Sequence, residues 1–210
     1  MTVVLMTFSS TVFAFYGYRE HVRAMNPKVS LIDAIQIEKS IKYASEKYNV
    51  NADIILAITK VESHFRKRAI GYTTDGKAQD FGIMQINEFW WVKKWSNPHN
   101  LKRLGIIKNY RDYFKIPNNI EGGTLILLVK REECLIRIRK GLRESLAKCT
   151  ILDYNGRNIT DYYERVVNAL EEYYTLKRIV KDKMEQIYKR ERINSKEWAI
   201  RRKTRRKKLN

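Results

Sequence analysis

Apolar residues recur along much of this chain at spacings of three and four, the period of a helix with one buried face, and few stretches alternate as a strand would. Ser30-Leu31-Ile32-Asp33 is a capping-box pattern, and behind it Ile32, Ile35, Ile41, Ala44 and Tyr48 fall close to helical spacing. These residues predict a helix from about Leu31 to Tyr48. Asn51 is a suitable N-cap for the next helix, with Val50 and Ile55 placed as a hydrophobic staple and Ile54, Ile58, Val61 and Phe65 as its apolar stripe. Glu62 falls beside that stripe, on the side of Ile55 and Ile58. Between Phe65 and Phe81 the periodicity stops; Gly71, Thr73, Thr74, Asp75, Gly76 and Asp80 read as a loop long enough to shape a cleft. Further on, Leu176, Val180, Met184 and Ile187 continue a helical stripe and predict a long last helix. The expected fold class is mainly α.

Length and composition suit that expectation. The 210 residues allow one ordinary domain with an appendage, and 44% hydrophobic residues with 11% aromatics suffice for a core, which excludes a disordered chain. The expected division is an apolar N-terminal segment at 1–25, a helical domain at 26–175 and a basic helical tail at 176–210. Charge supports the last boundary: residues 176–210 hold fifteen Lys or Arg against four Asp or Glu, a net of +11 out of the chain's +19. Such a tail suits an anionic polymer or membrane surface; the alternative is a solvated end that aids solubility. Thr2 to Tyr18 carries no charge and reads as an export segment, with Val12 and Ala14 ahead of a cleavage site. It lacks a basic start, so a buried N-terminal helix is the competing reading. The two cysteines, Cys134 and Cys149, are a disulfide pair or two core residues. The three histidines lie outside any ligand-like spacing, so no metal site is expected.

The candidate chemistry centres on Glu62 and on Ala78–Asn87, "AQDFGIMQIN". A carboxyl at the edge of an apolar stripe is partly desolvated, which raises its pKa toward the range of a general acid at neutral pH. The alternative is a surface ion pair with Lys60, Arg66 or Lys67. In the second segment Gly82 permits close approach of backbone or ligand, Met84 and Ile86 point inward, and Gln85 and Asn87 offer donors and acceptors to a polar polymer such as a sugar chain.

"VESHF" (Val61 to Phe65), "RAIG" (Arg68 to Gly71) and "DFGIMQIN" (Asp80 to Asn87) together resemble the soluble lytic transglycosylase family, especially the small transglycosylases that accompany bacterial secretion and conjugation machines. "IPNNIEGGTLIL" (Ile116 to Leu127), "LDYNGR" (Leu152 to Arg157) and "YYERVVNALEEYY" (Tyr162 to Tyr174) are similar to later family blocks in the expected order. Two departures stand out: Gly156-Arg157 where the family has Ala-Gly, and Ile83 in place of Leu. The resemblance implies a lysozyme-like helical domain and a peptidoglycan-cleaving enzyme that needs no cofactor. It implies Glu62 as the single catalytic acid/base, protonating the glycosidic oxygen between N-acetylmuramic acid and N-acetylglucosamine while the muramic C6 hydroxyl closes a 1,6-anhydro ring. Ser63, Met84, Gln85, Asn87, Tyr154 and Asn155 form the expected substrate-binding set. Within it Ser63 orients the site, Met84 and Gln85 line the cleft, Tyr154 bonds near Glu62 and Asn155 holds the turn behind it. The implied partners are peptidoglycan strands and a secretion, conjugation or virion assembly, and the implied location is the cell envelope or periplasm, or a virion.

Two other functions compete. Hydrolysis by a lysozyme-like muramidase requires a second carboxylate, for which Asp75, Asp80 and Glu88 are the candidates. A nucleic-acid-binding or scaffold protein would use the tail together with Trp90, Trp91 and Trp95, interleaved with Lys93 and Lys94, as stacking surfaces. No zinc finger or RNP block accompanies those aromatics.

Overall fold

The computed structural model of the protein describes residues 17–142, 144–156 and 159–207, with side chains described as far as 190. Most of the expected export segment, residues 1–16, lies outside the described residues. Helix α1 (Tyr18–Met25) is followed by α2 (Leu31–Tyr48) and α3 (Ala52–Ser63). A small sheet comes next, made of β1 (Ile70–Tyr72), β2 (Ala78–Phe81) and β3 (Ile86–Asn87). A π-helical turn (Phe89–Lys93) and a 3-10 turn (Tyr110–Phe114) lead to α4 (Ile116–Arg139), α5 (Leu146–Tyr154) and α6 (Tyr162–Lys207). The fold is mainly α.

The first long helices start where local chemistry starts them. The Ser30 side chain accepts from the Asp33 N–H, and Asn51 accepts from the N–H groups of Asp53 and Ile54. Both helices end on left-handed residues, Asn49 (φ 49°) and His64 (φ 52°). The buried face of α2 is Ala34, Ile37, Ser40, Ile41 and Ala44. Ile32, expected on that face, is 71% exposed, because at about 100° per residue it points away from the side that carries Ala34, Ile37 and Ile41. Full burial of Ile37 and Ile41 stabilises the packing of α2 by about 1.5–3 kcal/mol each. Their helix packs on α4 and on α1.

The segment from Phe65 to Phe81, expected as a loop, contains the hairpin β1–β2, and β3 adds to it in antiparallel fashion. Ile70 pairs with Phe81, Gly71 and Asn87 both pair with Asp80, and Phe81 also pairs with Ile86. Strands of three, four and two residues are too short for alternation to show in the sequence.

Cys134 and Cys149 form a buried disulfide that ties α4 to α5, with a Cα–Cα distance of 5.9 Å. The Arg137 guanidinium pairs with Asp153 beside it. One compact unit spans Tyr18–Tyr173. It therefore includes α1, ahead of the boundary expected at 26. Tyr18 donates a 2.7 Å hydrogen bond to Asp53, and His21 is buried with edge-on ring contacts to Phe65 and Tyr173. Within α6, Tyr162, Val166, Ala169 and Tyr173 are the buried stripe of this unit. From Tyr174 the chain belongs to a second unit, in which α6 runs to Lys207. Among the described residues no helix is long and apolar enough to cross a membrane.

Candidate active site

Glu62 stands in the last turn of α3 as a half-buried side chain. The Tyr162 hydroxyl, from the first turn of α6, donates a hydrogen bond to its Oε1. Burial raises the Glu62 carboxyl from an ordinary 4.5 to about 7; the Tyr162 bond opposes that rise, the Asp80 charge adds to it and Arg165 offsets part of it. Tyr162 is itself pushed far above the usual phenol range by burial and by the Glu62 charge, so it remains a neutral donor. The surface ion pair that competed with this arrangement does not form. Lys60 pairs with Glu172, Lys67 with Asp33 at 2.8 Å, and the Arg66 guanidinium donates to the Ser63 carbonyl.

Opposite Glu62 in the sequence pattern, Gly82–Asn87 is clamped by side chains from three helices. Asn119 of α4, 1% exposed, accepts from the Met84 N–H at 2.7 Å and donates to the carbonyls of Phe81 and Tyr113, each at 2.9 Å. Ser63 of α3 donates to the Ile83 carbonyl at 2.7 Å, and Tyr154 of α5 donates to the Met84 carbonyl at 2.7 Å. Gly82 has φ +81°, and a Cβ there would lie 2.2 Å from both Asn119 Nδ2 and the Tyr113 carbonyl. The space Gly82 frees is therefore filled by protein, not by a ligand. Gly123 plays a related part, since a Cβ on it would meet Met84 Sδ at 2.5 Å.

These contacts revise several expected roles. Ser63 (1% exposed) is buried with its hydroxyl on the Ile83 carbonyl, whereas the Met84 side chain, expected to line the cleft, is fully buried against Gly123. Tyr154 braces the loop, while Tyr162 is the tyrosine bonded to Glu62. Gln85 is half-buried in a left-handed conformation (φ 48°), and its amide donates to the Gly82 carbonyl at 2.7 Å. A non-glycine residue in that region is held there by its surroundings. Asn87 donates to Asp80 at 2.9 Å and accepts from the Trp90 N–H, so its amide is engaged on both sides. Asn155 ends α5, and its Oδ1 is buried without a hydrogen-bond partner.

Of the candidate second carboxylates, Asp80 alone acts on Glu62 electrostatically. Its own pKa is raised by burial, against the Asn87 bond. Asp75 is exposed in the hairpin turn and pairs with Lys77, and Glu88 pairs with Lys93 at 2.6 Å. Trp91 packs on the core, whereas Phe89, Trp90 and Trp95 are exposed, with the Lys94 ammonium 4.0 Å from the Trp90 ring centre. Among the described residues, Cys134, Cys149 and Asp153 lie close enough together to hold a metal ion, but the disulfide leaves no thiolate to bind one. Sequence reasoning missed Tyr162 and Asn119. Tyr162 heads the spacing Tyr162, Val166, Ala169, Tyr173 in α6, a signal that it is buried though not that it reaches Glu62.

A mainly helical domain with a short three-stranded sheet and one half-buried glutamic acid at a helix end is of the lysozyme-like class. Residues 39–136 match the family model of the transglycosylase SLT domain. A "peptidoglycan-binding-like protein" of Escherichia coli O157:H7 is 35% identical over 96 residues, covering 43% of this chain and 53% of that protein. "Protein IpgF" of Shigella flexneri is 44% identical over 46 residues, 22% of this chain and 30% of the relative. The chain thus spans about half or less of the length of these curated relatives. No solved structure matches it.

Proposed function

We propose that the protein is a peptidoglycan lytic transglycosylase acting on glycan strands in the cell envelope, with Glu62 as its single general acid/base. The observation that carries this reading is the half-buried Glu62 carboxyl, raised to about 7 and bonded to Tyr162. Such a group is partly protonated at neutral pH and can both give and take a proton. Neutral Glu62 protonates the oxygen of the bond between N-acetylmuramic acid and N-acetylglucosamine as that bond breaks and positive charge builds at the muramic C1. The resulting carboxylate, supported by the Tyr162 hydroxyl, then takes the proton of the muramic C6 hydroxyl. The C6 oxygen bonds to C1 and closes the 1,6-anhydro ring, so no activated water is needed.

Hydrolysis is the second reading, and Asp80 favours it: it is a carboxylate whose charge reaches Glu62. Mass spectrometry of products released from purified peptidoglycan separates the two. Anhydromuropeptides from the parent and none from Glu62→Gln are the expected outcome. Reducing-end products that vanish with Asp80→Asn would make the protein a muramidase. No release from the parent would overturn both readings.

A further inference from the structure

A groove of about 220 Å³ opens on the side of the domain that begins one residue past Asn87. Glu88, Lys93, Lys102 and Lys108 line it, together with the rings of Trp95 and Tyr110. Glu88 is taken up by Lys93 at 2.6 Å, while Lys102 and Lys108 form no ion pair among the described residues. Three lysines against one glutamate leave two positive charges uncompensated in a confined space. Trp95 is 61% exposed and Tyr110 54% exposed, and both present flat apolar faces there. At the wall of the groove Tyr113 is 1% exposed, and its hydroxyl is buried with no hydrogen-bond partner. Folded proteins rarely leave such a group unpaired, and its presence in the wall of a basic groove points to a ligand.

None of these residues serves Glu62. The groove nonetheless adjoins the site through the chain itself, since Glu88 follows Asn87, and Asn87 is bonded to Asp80. We propose that this groove binds the carboxylates of the peptide stems carried by the glycan strand. Lys102 and Lys108 would receive the charge, and Trp95 and Tyr110 would cover the adjoining apolar part; the proposal rests on the peptidoglycan reading above. Recognition of this kind weakens with salt, because exposed charges are screened over roughly 10 Å at about 0.1 M.

The test uses the full chain carrying Glu62→Gln, so that no probe is consumed. Three probes are compared: a disaccharide peptide of N-acetylglucosamine and N-acetylmuramic acid with free carboxylates, the same compound fully amidated, and chitotriose, which has no peptide. Affinity is measured by calorimetry at low and high salt, and the Trp95 indole resonance is followed by NMR. The free acid is expected to bind about 3- to 10-fold more tightly than the amide, as two exposed charge contacts allow. That preference should shrink with salt and vanish in a Lys102→Gln/Lys108→Gln variant whose chitotriose affinity is unchanged, and the Trp95 resonance should move with the free acid. Equal affinity for acid and amide, or a preference that survives the double substitution, would overturn the groove while chitotriose binding left the glycan reading standing. Failure of all three probes to bind would overturn both.

Discussion

Replacing Tyr162 with Phe removes one oxygen from a buried ring and leaves its packing otherwise intact. That oxygen makes the largest contribution holding the Glu62 carboxyl down against burial. A hydrogen bond to a charged group contributes about 1.5–3 kcal/mol, or roughly one to two pH units in the carboxyl's titration. A half-buried carboxyl can recruit water in place of the phenol, so a rise of about one unit above the parent's value of about 7 is expected. The direct assay is a carbon-13 NMR titration of the Glu62 carboxyl, assigned by its loss in Glu62→Gln.

Stability supplies an independent reading. The folded pKa of Glu62 is raised from 4.5 to about 7, so the stability linked to its protonated form is complete below about 4.5 and lost as pH rises through about 7. At 1.36 kcal/mol per unit the parent loses about 3 kcal/mol across that window. In Tyr162→Phe the loss continues to higher pH. A deficit of about 1 kcal/mol near pH 5, where only a neutral hydrogen bond is missing, should grow to roughly 2–3 kcal/mol near pH 9. Urea unfolding at the two values measures it. A titration midpoint at or below the parent's, or a deficit that does not change with pH, would show that Tyr162 does not support the carboxylate.

Two further changes probe the frame around the site. Asn119→Asp should destabilise the domain by about 3 kcal/mol or more at neutral pH in urea unfolding, because two carbonyls that now accept from Nδ2 would face a carboxylate oxygen; a loss under 1 kcal/mol would contradict the clamp. Reducing the Cys134–Cys149 bond, which spans a sequence separation of 15, should lower thermal stability by about 3 kcal/mol. The same reductant should leave a Cys134→Ala/Cys149→Ala variant unmoved, and a parent melting temperature indifferent to reductant would refute the expectation.

What was legible in the sequence was what neighbours in the chain decide. Ser30 and Asn51 begin α2 and α3 by bonding N–H groups two or three residues ahead, so both helix starts could be read directly. The mainly helical class followed from the same short-range periodicity. The strands failed to show because two to four residues cannot display a period. The candidate site was legible only in part, for a different reason. Glu62 could be singled out from its place beside an apolar stripe, but its bonded partner is 100 residues away, and nothing local distinguishes Tyr154 from Tyr162 as that partner. Gly82 announces that something must come close; only the packed structure says that the neighbour is Asn119 and not a ligand. The loop from Gly82 to Asn87 shows why these failures go together. Its backbone is held by Ser63, Asn119 and Tyr154, one side chain from each of three helices, and each bond requires its helix to be docked already. The loop's shape, with Gln85 left-handed inside it, is thus held in large part by contacts from distant helices. The residues that fix the geometry around Glu62 are therefore core residues by burial and site residues by consequence, and a sequence pattern that sorts positions into one or the other misassigns them.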